Sequence, residues 1–226
     1  MRSLADWFFA LFVTAAMAVV LLGVAQVVGD AGAAAEAVAD TVTVAVDAGH
    51  GGFDGGAVGT NTGVVEAGLN LAVAKLVEEE LTDRGLSVVM TRTDENALSD
   101  TKKGDMAVRR SVLRGDAVDL VVSIHMNKFP DRSVSGAMAY YMEGSEEGRK
   151  LAQCVIDSIC DSTGHSRRLA NPGDYFVLRE CAAPAVLVEC GFLSNPGDEK
   201  QLIDEEYQAT LAQAVADGII NYLDQG

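Results

Sequence analysis

The sequence is poor in positive charge. It holds 17 Lys and Arg against 33 Asp and Glu, a formal balance of −16 over 226 residues. That excludes general nucleic-acid binding, because phosphate affinity comes from Lys and Arg releasing counterions. Cysteine is scarce too: Cys154, Cys160, Cys181 and Cys190 form no CxxC pair, so a structural zinc site of finger type is not signalled. They read as small buried thiols, with a Cys181–Cys190 bridge left open for an exported domain. No Gly-Lys-Ser/Thr follows the glycine-rich stretch, and no Gly-x-Ser-x-Gly elbow occurs. Phosphate cradling and a serine-hydrolase elbow are thereby disfavoured. Histidine is limited to His50, His125 and His165.

Apolar residues make up 49% of the chain, enough for a real core. The run from Trp7 to Val28 carries no charge over 22 residues, sufficient for a helix to cross the ~30 Å hydrocarbon layer. It predicts a membrane anchor, with a cleaved signal as the alternative because Ala31-Gly32-Ala33 and Ala33-Ala34-Ala35 offer small-residue cleavage sites. Either reading exports the rest of the chain. The expected organisation is an anchor or signal over 1–29, an Ala/Gly-rich linker over 30–40 and one catalytic domain over 41–226.

Beyond the linker, short β-branched runs alternate with helical stretches. Strands are predicted at Thr41–Asp47, Leu86–Thr91, Leu120–Ile124, Ala137–Met142, Tyr175–Leu178 and Ala185–Glu189. Helices are predicted at Glu66–Arg84, Asp105–Gly115, from Ser145 to about Ser162, and at Glu206–Leu223. Strands alternating with helices, their runs apolar throughout, predict an α/β fold whose mainly parallel sheet is covered on both faces. Such sheets bind ligands at the carboxyl ends of their strands. Three strands run out there into Asp47-Ala48-Gly49-His50, Ser123-Ile124-His125-Met126-Asn127 and Glu189-Cys190-Gly191, and Glu66 opens the helix after the glycine loop. Two histidines and two glutamates therefore converge on one edge. A His2Glu set can hold zinc with one position open to water, and a carboxylate off the metal can serve as base. Each histidine taken alone fits a hydrogen-bonded structural residue as well. His165 lies far from any strand end and reads as exposed or substrate-facing.

The blocks VAVDAGHGGFDGGAVG, Glu66 with LNLAVA, VVSIHMN and AVLVECGFLSN resemble the zinc-dependent N-acetylmuramoyl-L-alanine amidases of the Amidase_3 type. The likeness runs from about Val42 to Tyr222. It implies a phosphorylase/hydrolase-like α/β fold and hydrolysis of the amide between muramic acid and L-alanine. It further implies zinc on His50, Glu66 and His125, and Glu189 as the catalytic carboxylate. Thr101–Arg114 (TKKGDMAVRRSVLR), with the N-terminal apolar run, resembles the germination-specific members of that family and implies a role in spore cortex. Ala48 replaces a usual proline, Ala67-Gly68 a usual Lys-Asp-like pair, and Cys190 a usual aliphatic residue; none removes a ligand.

The expected partners are peptidoglycan strands with their stem peptides, and a membrane through the N-terminal segment; no segment specifies an activating protein. Asn127, Arg109 and Arg110 are the candidate substrate contacts. Lys102, Lys103 and Arg114 join the two arginines in a predicted basic rim for glycan carboxylates, whose alternative is a solvated helix face. Two rival functions remain: a zinc peptidase cutting within the stem, and a catalytically idle wall-binding module.

Overall fold

The computed structural model describes residues 41–225. The predicted anchor or signal and the linker lie outside the described residues. Among the described residues no helix is long and apolar enough to cross a membrane.

Six strands form one sheet: β1 (Thr43–Ala48), β2 (Ser87–Met90), β3 (Leu120–Asn127), β4 (Met138–Tyr141), β5 (Asn171–Pro172) and β6 (Ala185–Phe192). Their order is β2-β1-β3-β6-β4-β5. The pairs β1/β2, β1/β3 and β3/β6 are parallel, whereas β4 runs antiparallel to β6. The central strands are apolar because both faces are covered. Val44, Val46, Val122, Ile124, Val186 and Val188 point into the larger core. Ala45, Val121 and Leu187 point to the opposite side, against Leu113, Val177 and Leu178.

The larger core is closed by α1 (Glu66–Asp83), α3 (Glu146–Thr163) and α6 (Glu205–Leu223); α2 (Lys102–Leu113) and the single turn α4 (Phe176–Arg179) cover the other face. Helix ends follow local chemistry. Gly85 (φ +84°) stops α1, its N–H donating to Thr82 O while Leu86 N–H reaches back to Leu81 O, a Schellman arrangement. Thr101, Ser145 and Asp204 cap the starts of α2, α3 and α6 by accepting backbone N–H bonds.

One expected strand is corrected, and one helix was not foreseen. Tyr175–Leu178 is not a strand; it enters α4, because the sheet position beside β4 is taken by Asn171–Pro172 and Val177 and Leu178 are needed in the second core. The helix α5 (Pro196–Leu202) was not expected, being only 7 residues long, too short for apolar periodicity to show. Its signal was chemical: Asn195 accepts from Gly197 N and Asp198 N, with Pro196 opening the first turn. The cysteines are all free. Cys190 packs in the larger core and Cys181 in the smaller, on opposite faces of the sheet, so neither is placed to bridge the other.

Where α3 and α6 cross, the backbones nearly touch. A Cβ on Gly218 would clash with Val155 Cα and stand 2.9 Å from its nitrogen. Gly→Ala in a helix ordinarily gains up to about 1 kcal/mol. Gly218→Ala should instead lose about 1–3 kcal/mol by overpacking, read as a lower urea midpoint.

Candidate metal centre

The centre is built on the turn after β1. His50 is the only non-glycine with positive φ (62°) among the described residues, a conformation costing an L-residue about 1–2 kcal/mol. Two buried arginines hold it there. Arg92 donates to Ala48 O, Gly49 O and Ala67 O at 2.9, 2.9 and 2.7 Å. Arg109 donates to Ala48 O at 2.8 Å and to His50 O. Three successive carbonyls are thus turned inward, which sends the His50 ring out over the sheet edge. The alanine at position 48 does not leave the loop slack, because its carbonyl is gripped by both guanidinium groups.

Glycines make the room. The His125 ring lies where a Cβ on Gly49 would be, and a Cβ on Gly56 would meet Glu66 Oε2 at 2.5 Å and His50 Cδ2 at 2.7 Å. His125 and Glu189 are register partners on the parallel strands β3 and β6, so their side chains leave the same face of the sheet. Glu66, first residue of α1, comes in from beside them.

His50 Nε2 lies 3.3 Å and His125 Nδ1 3.0 Å from Glu66 Oε1. One ligand atom from each residue falls within 4.8 Å of the others. Tetrahedral zinc with bonds of ~2.0–2.1 Å separates its ligands by roughly 3.3 Å, so the three groups fit such an ion. His50 Nδ1 stands 3.0 Å from Asp54 Oδ2, the outer carboxylate that commonly orients a ligating histidine. Glu66 is buried, yet its carboxyl is held well below the usual range by His125, His50 and the Ala57 N–H bond to Oε2 at 2.6 Å. Met126 N–H and Asn70 Nδ2 also donate to Oε1. Glu189 has the opposite surroundings. Its Oε2 is buried without a protein partner, and burial pushes the carboxyl up to about 7, with Glu66 adding repulsion and the histidines opposing it.

These groups line a cavity of about 350 Å³ with Ala57, Met106, Asn127, Lys128, Tyr175, Phe176, Val177 and Leu187. A wider groove of about 600 Å³ between α3 and α6 holds Arg84, Ser158 and Asp217 but no histidine. The cavity therefore includes Asn127 among the predicted substrate contacts. Arg109 is corrected: it is 2% exposed, its guanidinium engaged by Asp47 at 2.6 Å and Asp105 at 2.9 Å. Arg110 is exposed, 3.7 Å from Glu180, which also pairs with Arg114 at 3.2 Å. Lys102 pairs with Asp54. The predicted rim is thus largely neutralised within the fold. His165 is half-buried beside Gly136, away from the residues lining the cavity. Asp54, Asn70, Arg92 and Lys128 were missed by sequence reasoning; only Asp54 carried a signal, its place four residues after His50.

Nitrogen and oxygen ligands with a carboxylate kept apart for proton traffic are the equipment of metal-dependent hydrolases. Residues 44–221 match the family model described as N-acetylmuramoyl-L-alanine amidase, and the chain belongs to that family. It is 35% identical to the protein YqiI of Bacillus subtilis, over 91% of this chain and 96% of that one. It is 32% identical to the germination-specific N-acetylmuramoyl-L-alanine amidase of the same organism, over 78% of each. Among solved structures it resembles the CwlD amidase of Clostridioides difficile, determined with the GerS lipoprotein. There the TM-score is 0.79 at 30% identity, covering 82% of this chain and all of that one.

The Arg109 arrangement yields a stability prediction. Arg109→Ala strips the partner from two buried carboxylates and should cost about 3–5 kcal/mol. Arg110→Ala, at an exposed pair, should change stability by no more than about 0.5 kcal/mol. Equal losses in urea unfolding would contradict this division.

Proposed function

We propose that this chain is an exported zinc amidohydrolase of the cell wall that cuts the bond between the lactyl group of N-acetylmuramic acid and L-alanine. The observation that carries this is the His50–Glu66–His125 group sharing one cavity with Glu189, whose Oε2 is buried without a protein partner. Zinc, when bound, would polarise the scissile carbonyl and acidify the attacking water. His50 and His125 would hold it through ring nitrogens, and Asp54, 3.0 Å from His50 Nδ1, would orient the His50 ring. Glu66 supplies the ligating carboxylate, kept anionic by its N–H donors. Glu189 takes the proton from water on its free carboxylate oxygen and returns it to the departing alanine nitrogen. Asn127 lies beside them for contact with substrate.

Export rests on the Trp7–Val28 run. The likeness to a germination-specific amidase supports a role in spore cortex, where stem removal would leave muramic acid bare. The likeness to an amidase solved with a lipoprotein supports a membrane-borne protein partner. A zinc peptidase would share the same centre, and the products separate the two. Released stems should begin with alanine bearing a free amino group, with no internal peptide cuts.

Two outcomes check the assignment. The purified chain should hold close to one zinc, lost in His50→Ala and His125→Ala; wild-type zinc content in the double variant would end the idea. Glu189→Gln should lower turnover by about 10²–10⁴ while retaining zinc, whereas Glu66→Gln should weaken the metal itself.

A further inference from the structure

Most cations near the cavity are spent on carboxylates of the fold: Lys102 on Asp54, Arg109 on Asp47 and Asp105, and Arg110 and Arg114 on Glu180. Arg92 is buried on main-chain carbonyls. Lys128 differs. It is exposed at the exit of β3, three residues beyond His125, and lines the same cavity as His50, Glu66, His125 and Glu189. Its backbone N–H donates to Asn127 Oδ1 at 2.8 Å, which fixes the start of the loop, and its Nζ reaches across to Val58 O at 3.1 Å. That carbonyl is neutral, and Lys128 enters no ion pair among the described residues. Among the described residues it is the only Lys or Arg lining the cavity, whose other charged or titrating side chains are carboxylates and histidines.

We propose that Lys128 is a specificity-determining residue that reads a free carboxylate on the stem peptide, close beyond the scissile bond. This rests on the amidase reading. The stem continues from alanine into a glutamate linked through its γ-carboxyl, leaving the α-carboxyl either free or converted to a carboxamide. A sphere of 350 Å³, the volume of the cavity, would be roughly 9 Å across, and peptide advances ~3.3–3.6 Å per residue. A group within reach of Lys128 Nζ therefore belongs to the first one or two residues after the cut. A lysine held only by a carbonyl can turn its charge to a carboxylate, and in a chain of net charge −16 that local charge opposes the repulsion of an acidic substrate. The carboxamide offers no such charge, so amidated stems should be poorer substrates.

The test uses the full zinc-loaded chain and two muropeptides identical except for carboxylate or carboxamide at that glutamate. Wild type should favour the carboxylate by roughly fivefold in kcat/KM, expressed in KM, the range of a partly exposed ion pair, and the preference should shrink with added salt. Lys128→Gln should bring the ratio close to one by raising KM for the carboxylate substrate, and Lys128→Arg should restore it. Arg132 is a control: it is exposed on the same loop, with its guanidinium on Ser194 O, Asn61 Oδ1 and Thr60 Oγ1, outside the cavity lining. Arg132→Gln should leave the ratio unchanged. Calorimetry with the two free stem peptides gives the same comparison without cleavage, so loss of turnover on both substrates would count against the amidase reading alone. A wild type indifferent to amidation in both assays, or a ratio that survives in Lys128→Gln or falls equally in Arg132→Gln, would overturn the proposal.

Discussion

The Arg109–Asp47 pair is the constraint on which the rest of the centre depends. Asp47 is fully buried at the end of β1, where burial alone would raise its carboxyl; Arg109, with Ser123 and Thr91, holds it low instead. Its two oxygens accept from Thr91 Oγ1 at 2.8 Å, Arg109 at 2.6 Å and Ser123 Oγ at 2.6 Å. One side chain therefore ties the end of β1 to the segment after β2, to β3 and to α2. The same guanidinium then collects the carbonyls that turn the loop and tip His50 into its left-handed conformation. Buried charge is expensive unless every partner is present, so the network forms as a whole.

The two glutamates at the sheet edge show how environment separates roles for one residue type. Glu66 is surrounded by donors: Ala57 N–H, Met126 N–H and Asn70 Nδ2, with two imidazoles alongside. These stabilise the anion, which suits a ligand. Glu189 meets none of them on Oε2 and shares its stretch of cavity lining with Leu187, Val177 and Tyr175. A carboxyl whose charged form is poorly solvated gives and takes protons near neutral pH, and pushing two such groups apart is how one site gains distinct functions.

The far wall of the cavity is fixed by a third carboxylate. Glu199 of α5 is closed off from solvent and accepts from Asn61 N and Nδ2 and from Thr62 N and Oγ1, at 2.5–3.1 Å. It pins the loop that runs back to Ala57, whose N–H binds Glu66, and to Val58, whose carbonyl holds Lys128. A short helix that periodicity does not reveal thus sets one side of the site. Its neighbour Asp198 serves likewise, accepting from Gly136 N and Phe192 N where β6 slips in register against β3.

By itself the sequence determined the alternation of strands and helices, the covered parallel sheet, and the chemical identity of the four groups at its edge. Those features are local or periodic: β-branched runs, capping residues, and histidines at strand ends. The tertiary structure alone decided that Arg109 belongs to the interior and not to a substrate rim. Its partners Asp47 and Asp105 lie 62 and 4 residues away, and only folding shows that both carboxylates are buried against it. It also placed Tyr175–Leu178 in a helical turn, since the neighbouring strand position was already filled by Asn171–Pro172. Finally, it singled out Lys128 among the basic residues. Whether a positive charge is free depends on which carboxylates come within reach of it, and that is a property of the folded chain.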